Sequence, residues 1–508
     1  MKKILLLIGL CFFANMNGQQ IGDIVWVDGM GGRDIDVGNS IALDTAGNVY
    51  TTGYFSNTCD FDPSSSTFNL TSNGGYDIFI TKFDNRGNFI WVKSIGGGSD
   101  DVGYSIALDN ENNIFFTGYF AGTVDFNPDV NVFNLTSDGG LDIFITKLNN
   151  NGEFVFAKKM GGPENDYAYA ITLDSENNIY TTGGFGYTAD FDPGTPVYTI
   201  LGDTTNNKSS IFISKLDRNG DFNWAKPLPS NRANSWGKNL TTDKNGNLYI
   251  TGMFSGTIDF DPSSFTSNLT ANVYDIFVLK FDLSGNYIWA KSFFDVWNSG
   301  GEVCLGNSIK TDSKGNVLIA GDFYGVVDFD PSTSNYQMGE VNSNHNGFLV
   351  KLNQEGEFIW ANTIRQIIDT NTIFLDNNCS SLVIENDDSA YVTGTFAGKT
   401  NFTFNNSVSN FLKSNGNNDI LLAHYDTDGG FVSAKSFGGI GRDYGSGIAL
   451  DQESNLYTIG SYNGTVNFET SNSDSNLTSN GNSDVFVNKF KNPLLATQQY
   501  ELTNTTTT

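Results

Sequence analysis

The stretch Ser105–Lys158, SIALDNENNIFFTGYFAGTVDFNPDVNVFNLTSDGGLDIFITKLNNNGEFVFAK, decides the fold. It holds four short runs rich in Ile, Phe, Thr and Tyr, each bounded by Asn, Asp and Gly. Such runs read as β-strands and such borders as turns. Ser105–Asp109 is the first strand, Ile114–Phe120 the second, Asp142–Leu148 the third and Glu153–Lys158 the fourth. An excursion through Thr123–Pro128 and Asn134–Gly140 separates the second from the third. Both faces of these strands are apolar, as expected of a sheet covered on both sides.

The same pattern recurs along the chain. A Gly following an aromatic-rich strand stands at Gly53, Gly118, Gly183, Gly252, Gly321, Gly394 and Gly460, at intervals of 65, 65, 69, 69, 73 and 66 residues. Seven units of this length, each with four strands, suit propeller blades better than the shorter coils of a solenoid. The outer strand carries a turn Gly and, four residues on, an aromatic: Gly87/Trp91, Gly152/Phe156, Gly220/Trp224, Gly285/Trp289 and Gly356/Trp360. The seventh unit lacks it after Asp484–Phe490, and Gly22–Trp26 supplies a spare strand at the front. The expected fold is therefore all-β: a seven-bladed β-propeller of four-stranded antiparallel blades, its ring closed by the N-terminal strand completing the last blade.

Residues 1–18 read as a signal peptide, with Lys2 and Lys3 before an apolar run from Ile4 to Phe13 that is too short to span a bilayer. Residues 19–490 form the propeller and 491–508 a short Thr-rich tail. Without the leader, 26 basic and 56 acidic residues remain, a net charge of about −30. That field argues against nucleic acid or anionic lipid as partners. No later apolar run is long enough for membrane insertion. Cys59, Cys304 and Cys379 stand at different repeat positions and form no framework, although a Cys304–Cys379 disulfide stays open.

The run Asn48–Phe55 (NVYTTGYF), Asp60–Pro63 (DFDP), Asn69–Gly75 (NLTSNGG), Asp77–Phe83 (DIFITKF) and Gly87–Gly97 (GNFIWVKSIGG) resembles the SBBP β-propeller repeat. The resemblance covers roughly residues 22 to 490 and weakens in the sixth unit, where Asn401–Phe404 (NFTF) replaces DFDP. It implies a propeller in a secreted or cell-surface bacterial protein, including the S-layer-like ones, with the periplasm as an alternative location. It implies no common catalytic activity.

Several motifs invite ligands. The turns Asp84–Asn88, Asp217–Asp221, Asp282–Asn286 and Asp426–Gly430 resemble calcium loops but lack the bidentate Glu, so they read as hairpin turns. The two carboxylates of Asp-Phe-Asp-Pro lie on one strand face, where they suit a cation or a structural pair with the Lys repeated on the third strand. Those lysines are Lys82, Lys147, Lys215, Lys280, Lys351 and Lys489, with His424 in the sixth unit. Gly438–Asp443 (GGIGRD) echoes one β-roll nonapeptide and reads as a loop.

No catalytic set, metal site or cofactor is expected. His345 and His424 are the only histidines, and no haem motif or vicinal Cys pair occurs. The expected function is a secreted or cell-surface, non-enzymatic and monomeric binding or cell-envelope module for a protein or a surface polysaccharide. The alternative is an extracytoplasmic propeller enzyme, quinoprotein-dehydrogenase-like or glycan-acting. Specific binding is expected where the repeat loses its symmetry, at Pro229–Trp236, Phe293–Glu302 and Asn362–Asn378. The candidates there are Trp236, Phe293, Phe294, Trp297, Glu302, Arg365 and Asp369.

Overall fold

The computed structural model describes residues 21–203, 208–296, 304–340, 345–367, 377–403, 411–468 and 476–492. The expected leader and nearly all of the expected tail lie outside the described residues. Every regular element among those described is a strand, and none is a helix long and apolar enough to cross a membrane.

The second unit shows the plan. Val102–Leu108, Ile114–Asp125, Asn134–Leu148 and Phe154–Met160 pair antiparallel in that order. The same four-strand order recurs in the other units. The seventh begins with Tyr444–Leu450, Leu456–Asn467 and Asn476–Phe490, and its fourth strand is Ile24–Gly32. Trp26 stands opposite Lys489 and Met30 opposite Val485, as the spare N-terminal strand led us to expect. The last two residues of that strand cross over, Gly31 to Asp60 and Gly32 to Cys59 of the first unit. The inner strand of each unit packs beside that of the next, and Tyr444–Leu450 packs beside Asp36–Leu43 of the first.

The core lies in the seams between units rather than within any one. Tyr50, Ile78 and Ile80 of the first unit pack against Phe116, Phe120 and Phe144 of the second. Val49 and Phe55 of the first unit likewise pack against Met30, Tyr457, Ile459 and Val487 of the seventh across the seam joining the two ends of the chain. Each fully buried aromatic contributes about 1.5–3 kcal/mol, so no unit can hide its own faces without a neighbour.

Polar groups fasten the same seams. A Cβ on Gly152, in the turn of the second unit, would stand 3.2 Å from the Trp91 ring of the first. Gly220 bears the same relation to Phe156, and Gly356 to Trp289. The indoles of Trp289 and Trp360 donate to the carbonyls of Gln354 and Thr427 in the neighbouring turns, at 3.1 and 3.2 Å. The repeated lysines work beside them. Lys82 donates to the Asn150 carbonyl of the next unit at 3.1 Å while lying over the Tyr50 ring. Their carboxylate partners are not the Asp-Phe-Asp-Pro residues but the acid closing the inner strand, as in Lys351–Asp312 at 2.9 Å and Lys147–Asp109 at 3.3 Å. In place of that Lys, His424 is buried, stacked on Tyr391 at 4.1 Å and 3.1 Å from the Ser389 hydroxyl.

The Asp-Phe-Asp-Pro aspartate folds its own loop. Asp60 Oδ1 accepts the backbone N–H of Asp62 at 3.1 Å and of Phe68 at 2.8 Å. The Asp-rich turns are hairpins of the expected kind, with Asp84 accepting from the Arg86 and Asn88 backbones. Cys59 and Cys379 are free thiols, so the Cys304–Cys379 disulfide is not formed.

A second seam motif escaped the sequence reading. Four outer strands end in a Gly pair: Gly31-Gly32, Gly96-Gly97, Gly161-Gly162 and Gly438-Gly439. The first Gly lies against a carboxylate of its own unit's third strand (Asp484, Asp77, Asp142 or Asp419), which an added Cβ would strike. The second donates its N–H to an aspartate opening the next unit (Asp36, Asp101, Asp166 or Asp443) at 2.6–2.8 Å. GGIGRD is thus one copy of a repeated seam. At two other seams the paired positions hold Ser210 with Ser235 and Asn346 with Asn377, so the charge is absent from both members together.

Candidate functional site

Each inner strand carries a bulge just after its opening residues, seen as a register break such as Gly103/Ser105 or Gly237/Asn239. A bulge re-aims one side chain. The bulged residues are Asn39, Tyr104, Tyr169, Lys238, Asn307, Ser380 and Ser446, and all seven line one central cavity of about 220 Å³. Three neighbouring units therefore present Tyr, Tyr and Lys where the others present Asn or Ser.

Around Tyr104 and Tyr169 the aromatics form a continuous row. Tyr104 lies 5.8 Å from Tyr119 and 5.1 Å from Tyr169. Tyr167 stacks on Tyr169 at 6.0 Å and meets Tyr119 edge-on at 5.4 Å. Tyr169 meets Trp236 at 6.2 Å, and Lys238 caps its ring at 3.6 Å. Tyr167, Tyr169 and Trp236, with Glu164, Asn165, Ser209 and Asn234, line a second, open pocket of about 370 Å³. The Trp236 indole N–H is buried there without an acceptor among the described residues.

Burial, with neighbouring phenols, pushes the Tyr104 hydroxyl up to about 12 and drives those of Tyr119 and Tyr169 higher still. All stay protonated at neutral pH and can donate. Ring faces, hydroxyls, two amides and one carboxylate converge here, a set suited to binding.

Of the residues expected to bind, Trp236 belongs to this site. It opens the fourth unit's inner strand, Trp236–Thr242. Phe293 is corrected: the outer strand runs on as Tyr287–Asp295, pairing Phe293 with Ile276, and the ring is fully buried against Phe329. Phe294 is 41% exposed but sits in a strand, opposite Asp328 of the next unit. Arg365 likewise lies in the strand Phe358–Gln366, opposite Asn401, and pairs with Glu340 at 2.8 Å. Trp297, Glu302 and Asp369 lie outside the described residues.

A family model described as Beta-propeller repeat (SBBP) matches residues 18–54, 155–183 and 230–253. Three segments of the chain thus match the SBBP repeat. The first two matched segments run from an outer strand, across a seam, into the next unit's first two strands, the third begins just past an outer strand, and together they include Asn39, Tyr169, Trp236 and Lys238. Among curated proteins, an uncharacterized WD repeat-containing protein of Acanthamoeba polyphaga mimivirus, L264, is 24% identical over 88% of this chain and 37% of its own length. The regulatory protein FlaEY of Caulobacter vibrioides is 24% identical over 22% of this chain and 12% of its own length. The chain therefore spans well under half of either relative. Among solved structures, the PQQ domain of a pyranose dehydrogenase from Coprinopsis cinerea aligns over 93% of this chain and 97% of its own, at 11% identity and a TM-score of 0.37. Sqt1 from Chaetomium thermophilum aligns over 92% and 99%, at 10% identity and the same TM-score.

Proposed function

We propose that the chain is a secreted or cell-surface, seven-bladed β-propeller, closed by its N-terminal strand, that binds a surface polysaccharide without chemically altering it. The observation that carries this reading is the aromatic row Tyr104–Tyr119–Tyr167–Tyr169–Trp236 beside an open pocket with hydroxyl, amide and carboxylate groups. Sugar rings stack on such faces through their C–H bonds, while their hydroxyls need both donors and acceptors. The closed seven-bladed form draws support from the pairing of Trp26 with Lys489 and from the cyclic contact of inner strands. Export draws support from the leader-like residues 1–18.

A binding role is favoured over an enzymatic one because both histidines have structural partners. His345 Nδ1 lies 3.1 Å from Asp322, and His424 is buried on Tyr391. The test is a glycan array probed with the intact protein and with Trp236→Ala. The intact chain should select a polysaccharide class, and Trp236→Ala should weaken binding by about 2 kcal/mol. Capture of no glycan, or equal binding by both forms, would reject the polysaccharide reading. Mass spectrometry of the native N-terminus tests export, which an uncleaved Met1 would contradict.

A further inference from the structure

The central cavity is chemically unlike the rest of the molecule. The whole chain carries a net charge of −28, yet none of the cavity-lining residues is Asp or Glu, and two, Lys238 and Lys310, are lysines. Lys310 has no ion pair or hydrogen bond among the described residues, and burial alone pushes its ammonium below the usual range. Lys238 is also held down, to about 8, by burial, which the charge of Asp322 partly offsets. That carboxylate is occupied by His345 and by the Asn307 amide, at 3.1 and 2.8 Å.

The serines of the wall tilt the balance further towards donors. Ser40, Ser105 and Ser308 each accept a backbone N–H from the inner strand of the next unit, from Ile106, Ile171 and Leu382 respectively. Their hydroxyl protons have no acceptor among the described residues. Two lysine amines and a set of unspent hydroxyl donors thus face one space that lacks anionic acceptors. Buried donors without acceptors, and buried charge without countercharge, are costly. An oxyanion relieves both at once, because it brings negative charge and several acceptor oxygens on a small frame.

We propose that the central cavity binds an oxyanion, a carboxylate or sulfate group, held by Lys238 and Lys310 and the hydroxyls of Ser40, Ser105 and Ser308. The site goes beyond the polysaccharide reading, since it stands on the lysines and serines and not on the stacked rings. The two are nevertheless adjacent: Lys238 caps Tyr169, whose ring is shared by the cavity and the aromatic pocket. The oxyanion therefore comes either as a free ion or as the acid group of a sugar whose neighbour lies on the aromatic row.

Isothermal titration calorimetry on the full chain separates these sources, using sulfate, glucuronate and glucose at matched chloride concentration. Saturable binding of glucuronate or sulfate, with glucose weaker by about tenfold or more, is expected. Sulfate binding alone assigns the site to a free ion, and tighter glucuronate binding assigns it to an acidic sugar. Lys310→Met should weaken the anion by about tenfold or more while Lys310→Arg retains it. Should Lys310→Met fail to fold, Lys238→Met and the ligand-dependent melting shift of the intact protein give the same readout. Equal binding of glucose and glucuronate, no binding of either anion, or undiminished binding in a folded lysine variant would overturn the proposal. Loss of glycan-array binding in Trp236→Ala with anion binding intact would leave it standing, so the two readings fail separately.

Discussion

Asp36 and Asp484, from opposite ends of the chain, are buried at one seam, and the charge of Asp484 helps to hold Asp36 protonated. Gly31 lies against the Asp484 carboxylate, and Gly32 donates its N–H to Asp36 at 2.6 Å. Oδ1 of Asp484 is buried without a hydrogen-bond partner. Burial first, then the neighbouring carboxylate for Asp36, pushes both acids from the usual 3.8 up to about 7. Asp101 and Asp166 sit at about 7 for the same leading reason.

An acid whose folded value is raised stabilises the fold fully below about pH 4, and that contribution is lost as pH rises through about 7. The melting temperature should therefore fall between about pH 4 and about pH 7. Calorimetry across that window checks it, and Asp484→Asn should flatten the slope and raise the melting temperature at pH 8. A profile that climbs with pH would contradict the reading.

Lys351 and Asp312 form an ion pair at 2.9 Å with side chains only 6% and 0% exposed. Lys351→Met leaves that carboxylate buried and uncompensated, so a loss of about 3–5 kcal/mol is expected. Lys93→Met removes a pair of similar length with Asp129, but one open to solvent, and should cost about 0–1 kcal/mol. Urea denaturation of the two variants measures the contrast.

Trp91→Ala should cost about 3 kcal/mol, because the ring fills the space beside Gly152 in the next unit and packs on Tyr50. The reciprocal change, Gly152→Ala, should destabilise as well. Its φ of 77° is one an L side chain rarely adopts, and the added Cβ presses on the same ring. Thermal melting of both variants tests whether one contact is being read from its two sides.

Removal of residues 21–32 strips the seventh unit of its outer strand and frees the edge of Asn476–Phe490. The truncated protein should melt well below the intact one and aggregate more readily. An unchanged melting temperature would show that the strand is dispensable.

Much of this architecture is legible in the sequence, because a seam repeated from unit to unit leaves its mark repeatedly. The turn Gly, the aromatic four residues on and the third-strand Lys all announced themselves by recurrence. The spare strand at Gly22–Trp26 followed from the gap after Phe490. The partner of the Lys was misread because Asp44, Asp109 and their equivalents end a strand inconspicuously, whereas Asp-Phe-Asp-Pro is a conspicuous motif.

The sequence reading looked for binding in irregular loops, whereas the site proposed above rests mostly on regular positions of the repeat. Phe293 looked like a loop aromatic because nothing in the sequence marks how far an outer strand runs once it pairs with the next unit. The better signal was chemical change at a regular position. Tyr104, Tyr169 and Lys238 replace the Asn or Ser of other units at the bulge, and only the bulge turns that position inward. Strand alternation alone points it the wrong way.

The lodging of Ile24–Gly32 against Asn476–Phe490 has a consequence for synthesis. A ribosome delivers the first of these strands long before its partner exists. Until then its hydrogen-bonding edge is open, in a chain whose other units are already finding their neighbours. The slowest step of assembly should be this last and longest-range pairing, with the growing polypeptide most exposed to proteases and to pairing with other chains just before it occurs. Chaperone demand should accordingly peak just before that pairing forms.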